Sequence, residues 1–124
     1  MSLDVFLESG DRFDREAAEA ALARNGIAAN SIVTTADGGE ASLALDDDGA
    51  AFVIRALTPE LVDVIFDVAA NMRLAILPAD GTPTAFVAGE AAVPEELELV
   101  AVADAGELFT ALRHSEELRG AREA

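Results

Sequence analysis

Glu40-Ala-Ser-Leu-Ala-Leu-Asp-Asp-Asp-Gly-Ala-Ala-Phe-Val-Ile-Arg-Ala-Leu-Thr-Pro-Glu60, continued to Leu77, is the stretch whose reading decides the fold. In Ala41–Leu45, Leu43 and Leu45 alternate with Ser42 and Ala44, the period of a half-buried strand. Asp46-Asp-Asp-Gly49 is turn chemistry. In Ala50–Leu57, Phe52, Ile54 and Ala56 fall on one face and Val53, Arg55 and Leu57 on the other. Thr58-Pro59-Glu60 then opens a helix, with a hydroxyl at the cap and proline at the first helical position. Leu61, Ile65, Val68 and Met72 recur at helical spacing, and Val62, Phe66 and Ala69 widen the apolar stripe. Arg73–Leu77 reads as the returning strand. The unit is a hairpin, a capped helix and a strand.

Working outward, Leu3–Glu8 alternates and is rich in β-formers, so it is expected as a first strand. A helix is expected from Arg12 to Asn25, capped by Asp11, with Phe13, Ala17, Ala20, Ala21 and Arg24 along one side and Asn25-Gly26 as its stop. Ile32-Val-Thr-Thr35 marks a second strand, and Asp37-Gly-Gly39 a hairpin turn into the third. Beyond Leu77, a turn-rich loop from Pro78 to Pro83 leads to a strand at Thr84–Ala88, and another strand is expected at Leu97–Val102. Asp104-Ala-Gly-Glu107 has capping-box spacing and opens a last helix to about Leu118. The order β-α-β-β-β-α-β-β-β-α predicts an α+β two-layer sandwich, with a mostly antiparallel sheet and about three helices. Residues 1–118 are expected to form a single domain and 119–124 a frayed tail. Most of the six Phe residues are expected to meet in one core.

The chain has 124 residues, enough to bury roughly two-thirds of its unfolded surface around one core. A 52% apolar content is incompatible with a disordered chain. Net charge is −16, which repels phosphate backbones and anionic lipid and attracts basic proteins. The charge is uneven. Residues 1–25 carry six acids against three arginines (−3), residues 26–112 fifteen against two (−13), and residues 113–124 three against three (0). All the cationic residues are Arg, as in a high-GC or halophilic host composition. No basic n-region opens the chain and no apolar run reaches the roughly 20 residues of a membrane span, so a soluble cytoplasmic protein is expected.

The catalytic inventory is thin. Cys, Lys and Tyr are absent, and the single His114 falls near the end of the last helix, where an imidazolium suits the dipole. The glycines match neither a P-loop nor a dinucleotide fingerprint. Asp46, Asp47 and Asp48 are consecutive and lack the alternating ligands of a calcium loop, so no metal or other cofactor is expected. What remains is acidic surface. Glu60, Asp63 and Asp67 form a ridge on the polar side of the second helix, the Asp46–Asp48 turn is a second patch, and Arg55 is a candidate anchor. These seven residues are the candidate partner-binding set. The expectation is a non-enzymatic domain that masks a basic protein partner and binds neither nucleic acid nor membrane. Immunity-type inhibitors of bacterial toxins share this size and acidity. The alternative is a homo-oligomeric small-molecule-binding or regulatory domain whose acidity reflects its host; a homodimer stays open under either.

Self-repulsion at −16 is screened over about 10 Å at 0.1 M salt. The thermal unfolding midpoint is therefore expected to rise as monovalent salt goes from low to moderate concentration. Calorimetry across that range checks this, and a flat or falling midpoint would mean that the acids are already compensated.

Overall fold

The computed structural model describes residues 3–8, 14–28, 30–47, 49–79, 84–87 and 98–123, with side chains described as far as Glu117. Ten elements follow one another: β1 (Leu3–Glu8), α1 (Arg15–Arg24), β2 (Ile32–Thr34), β3 (Glu40–Leu45), β4 (Gly49–Ala56), α2 (Pro59–Met72), β5 (Ala75–Pro78), β6 (Thr84–Val87), β7 (Glu98–Ala101) and α3 (Ala105–Glu123). The protein is an α+β domain whose seven strands form one sheet in the order β2-β3-β4-β1-β5-β6-β7. Every neighbouring pair is antiparallel except β6 and β7, which run parallel.

β2, β3 and β4 form the expected meander. The N-terminal strand inserts beside it: β1 pairs with β4 from Leu3↔Ile54 to Glu8↔Gly49, and on its other side with β5 from Val5↔Pro78 to Glu8↔Ala75. Leu3, Val5 and Leu7 are fully buried as a result. Their face joins Ala41, Leu43 and Leu45 of β3, Phe52 and Ile54 of β4, and Ile76 and Phe86. Buried residues from all three helices complete the same cluster: Ala18, Ala21 and Leu22 of α1, Leu61, Val62, Ile65, Val68 and Ala69 of α2, and Leu108 and Leu112 of α3. This is compatible with helices layered on one face of the sheet. A separate small cluster, Ala75, Ala85 and Val87 with Leu77 against it, occupies the opposite side of β5 and β6.

Both hairpin turns of the meander rely on close backbone approach. In the Asp46–Gly49 turn, the Asp46 carboxylate accepts the Gly49 amide at 2.9 Å and the Asp46 amide donates to the Gly49 carbonyl at 3.0 Å. A Cβ on Gly49 would come within 2.7 Å of the Leu7 carbonyl oxygen in the neighbouring β1, so a side chain there would push the central pairing apart. A Cβ on Gly39 would collide with the hydroxyls of both Thr35 and Thr58 and lie 3.0 Å from Leu61 Cβ. The β2–β3 turn can therefore sit directly against the start of α2 only with glycine at this position. The ladder shifts register between Glu40 and Ala41, immediately after it.

Three expectations change. α1 is capped by Asp14, whose carboxylate accepts the Ala17 amide at 3.1 Å, and it buries Ala18, Ala21 and Leu22. Of the face expected along Phe13, Ala17, Ala20, Ala21 and Arg24, Ala21 is buried while Ala20 and Arg24 are exposed, so the buried face is rotated toward Ala18 and Leu22; Asp11 and Phe13 lie outside the described residues. Most of the described phenylalanines reach the core as expected, with Phe6 the exception: it is 37% exposed on the other face of β1, because the core-facing set there is Leu3, Val5 and Leu7. Among the other phenylalanines, Phe52 and Phe86 are buried, and Phe66 and Phe109 pack against the cluster from its margin. Arg73 belongs to no strand; it caps α2 in the left-handed conformation (φ 54°), and its amide is bonded to Ala69 and Ala70 carbonyls. Finally, α3 continues to Glu123, past the expected end at Leu118.

Phe52 is fully buried in β4 between β3 and β1, opposite Leu43 and Val5. Phe52→Ala is expected to lower unfolding free energy by about 3–5 kcal/mol, read from chemical denaturation at constant m-value.

Candidate functional site

α2 positions most of the candidate residues, and its start is fixed from two sides. The Thr58 hydroxyl accepts the Leu61 amide at 3.3 Å as an ordinary N-cap. A second acceptor comes from the β2–β3 turn: Asp37 Oδ2 receives the Glu60 amide at 3.1 Å. Asp37 Oδ1 accepts the Thr35 hydroxyl at 2.6 Å, Thr35 Oγ1 in turn receives the Gly39 amide at 2.9 Å, and the Thr35 and Thr58 hydroxyls lie 3.3 Å apart. Partial desolvation pushes the Asp37 carboxyl up, but hydrogen bonds from the Thr35 and Thr58 hydroxyls and the Glu60 and Gly39 amides outweigh it and hold the group at about 2, below its ordinary 3.8. The anion-favouring end of α2 is thus filled by a carboxylate of the same chain.

The ridge along α2 divides into two kinds of residue. Asp67 is engaged: its Oδ2 accepts Asn25 Nδ2 and its Oδ1 accepts Asn71 Nδ2, both at 3.0 Å. Asn25 closes the C-terminus of α1 and also donates to the Ala21 carbonyl at 3.1 Å, so Asp67 ties α1 to α2. Glu60 and Asp63 are exposed, and neither carboxylate has an ion-pair or hydrogen-bond partner among the described residues. Both line a cleft of about 520 Å³ with Val64, the turn Asn25–Ala28 and the strand segment Ser31–Thr35.

The floor of this cleft is a sheet edge. The Ser31 carbonyl accepts the Leu43 amide at 2.9 Å and the Thr35 amide donates to the Gly39 carbonyl at 3.0 Å. Odd-numbered positions therefore face β3, and by antiparallel alternation the amides and carbonyls of Ile32 and Thr34 face outward. The Ile32 side chain is 64% exposed.

The remaining candidates lie elsewhere. Asp46 is folded into its own turn. Asp47 accepts Arg15 Nη1 at 3.2 Å in an exposed ion pair, and Arg15 Nε separately donates to Glu19 Oε1 at 3.3 Å. Asp48 lies outside the described residues. Arg55 is exposed on the strand face that carries Val53, away from the α2 ridge. The six described candidates thus do not form one surface; Glu60 and Asp63 share the cleft. Sequence reasoning missed Asp37, reading it only as a turn residue, and missed the cleft walls contributed by Asn25 and Ser31. The signal for Asp37 was present: a Thr two residues before it and a Thr at the next helix cap supply its hydrogen-bond donors.

Among the described residues, no group of three or more His, Asp or Glu is placed to hold a metal ion, and no helix is long and apolar enough to cross a membrane. No protein-family model, no curated protein and no solved structure matches the chain. Fold and site together define a class only: an acidic α+β domain with an open, carboxylate-flanked sheet edge.

The Asp37 arrangement has a pH signature. Because the folded-state value of about 2 lies below the ordinary 3.8, its contribution to stability is complete above the ordinary value and is lost as pH falls through the interval between the two. Asp37→Asn is expected to be less stable than wild type at neutral pH, with the difference shrinking as pH falls across that window. Urea melts of both proteins at a series of acidic pH values measure it.

Proposed function

We propose that this protein is a non-enzymatic binding domain that masks a basic protein partner, as immunity-type inhibitors of bacterial toxins do. The observation that carries the reading is the pairing of two uncompensated carboxylates, Glu60 and Asp63, with the outward backbone groups of Ile32 and Thr34 along one cleft. Such an edge takes an extended segment by strand addition: the backbone supplies affinity, and side chains at alternate positions supply specificity. Lysine or arginine at the alternate positions facing α2 would meet Glu60 and Asp63. The charge of −13 over residues 26–112 would accelerate encounter, and salt would slow it. Inhibition would be steric, with the acidic domain covering cationic functional groups of the partner. The absence of Cys, Lys and Tyr from the chain and the lone, exposed His114 support a binding role over a catalytic one.

The test is the association rate of a basic partner, isolated on immobilised protein, as a function of ionic strength. Glu60→Gln with Asp63→Asn is expected to keep the fold and slow association by about tenfold at low salt, with the gap closing as salt rises. Asp67→Asn is expected to leave association near wild type and lower stability by about 1 kcal/mol, since its oxygens bind Asn25 and Asn71. Equal rates for the double variant and wild type at every salt concentration would refute the cleft as the recognition surface.

A further inference from the structure

The opposite edge of the sheet has a different character. β7 is exposed at all four of its residues, and Leu99 and Val100 are 53% and 37% exposed. Among the described residues it pairs with β6 alone, in parallel, from Thr84↔Glu98 to Val87↔Ala101. The Val102 amide donates to the Val87 carbonyl at 2.9 Å. In a parallel ladder that bond places the backbone groups of the even-numbered positions toward β6 and those of Leu99 and Ala101 outward. Native edges are blunted by shortness, charged side chains, proline or a bulge. β7 is short and carries Glu98, but it has neither lysine nor proline and its ladder to β6 runs without a register shift.

We infer that β7 pairs with β7 of a second copy, antiparallel about a two-fold axis through Val100, giving a sheet continuous across two molecules. The occupant follows from the geometry of the edge. A two-fold axis normal to the sheet keeps side chains of one face together, so only residues of the same parity can face each other. Leu99 then opposes Ala101 of the second copy, both residues turn their free amide and carbonyl to the partner, and the symmetric pair repeats the exchange. Val100 meets its own equivalent at the close, non-hydrogen-bonded position. Glu98, the one charge in the strand, is set against Val102 and away from the other Glu98. Within Glu98–Val102 this register brings no like charges face to face, a strong constraint on self-association of a chain at −16. It also continues an apolar row on the sheet face opposite the main core, where Ala51 pairs with Phe6, Phe6 with Leu77, and Ala85 with Leu99. Four strand residues a side fall well below the roughly 1,000 Å² of a stable interface, so the dimer is a dissociable one.

Sedimentation equilibrium of the full chain, from about 10 μM to about 1 mM, is expected to show a monomer–dimer equilibrium. Added salt should strengthen it by screening the net charge, the opposite of its effect on a basic partner at β2. Val100→Glu and Val100→Arg, each alone, should weaken self-association about tenfold or more, since like charges then meet on the axis. Mixed in equal amounts they should recover dimer, because position 100 faces position 100. A wild type that stays monomeric at the highest concentration and salt, single variants that dimerise like wild type, or a mixture no better than its components would each overturn the inference. Failure here leaves the cleft at β2 untouched, and failure there leaves β7 untouched.

Discussion

The closeness of the β2–β3 turn to the start of α2 is the constraint on which the layout rests. Gly39 has no room for a Cβ between the Thr35 and Thr58 hydroxyls, and Asp37 reaches past it to accept the Glu60 amide. These contacts fix where the helix begins relative to the sheet. α2 in turn contributes five buried side chains to the core and shares it with α1 and α3. Opening that approach would move the helix that the other two pack around. It would also reshape the cleft, since Glu60 and Asp63 lie in the first two turns beyond the anchor.

Acidity in this chain has more than one physical role. Asp14, Asp37, Asp46 and Asp104 each accept backbone amides at a helix start or turn, and Asp67 joins two helices through asparagine amides. These carboxylates replace water as hydrogen-bond acceptors for amides that helix ends and turns leave unpaired. Glu60 and Asp63 have no such partner among the described residues. Counting acids therefore says little about recognition, whereas asking which carboxylates are already bonded separates the structural from the available.

The elements with strong local signals were legible in the sequence. β1 has the predicted bounds, α2 runs from Pro59 to Met72 with Leu61, Ile65 and Val68 inward, and the Asp104–Glu107 cap is formed, the Glu107 amide donating to Asp104 at 2.9 Å. Alternation and capping are local and survive folding. What sequence could not supply was the location of β1 between β4 and β5, because strand alternation fixes a face and not a neighbour. The phase of α1 failed for a related reason: in Arg-Glu-Ala-Ala-Glu-Ala-Ala-Leu-Ala-Arg24, alanines lie on every side, so they cannot tell which face is buried. Leu22 was the better guide. At the site, periodicity placed Glu60, Asp63 and Asp67 on one side of α2, but that Asn25 would reach Asp67 depends on how two helices cross, which no spacing within either helix encodes.

The central position of β1 has a consequence for the order of events during synthesis. β1 is made before both of the strands that flank it, so neither partner exists when it emerges. β4 ends at Ala56 and β5 at Pro78, so at about 5–20 residues per second β1 waits some seconds for its first neighbour and longer for its second. The meander and α2 can assemble from contacts near in sequence, whereas seating β1 closes the longest loops in the sheet and comes at the greater entropic cost. Leu3, Val5 and Leu7 stay uncovered through that interval, so the newly made chain is most exposed to misassociation at β1, the strand that becomes the middle of the finished sheet.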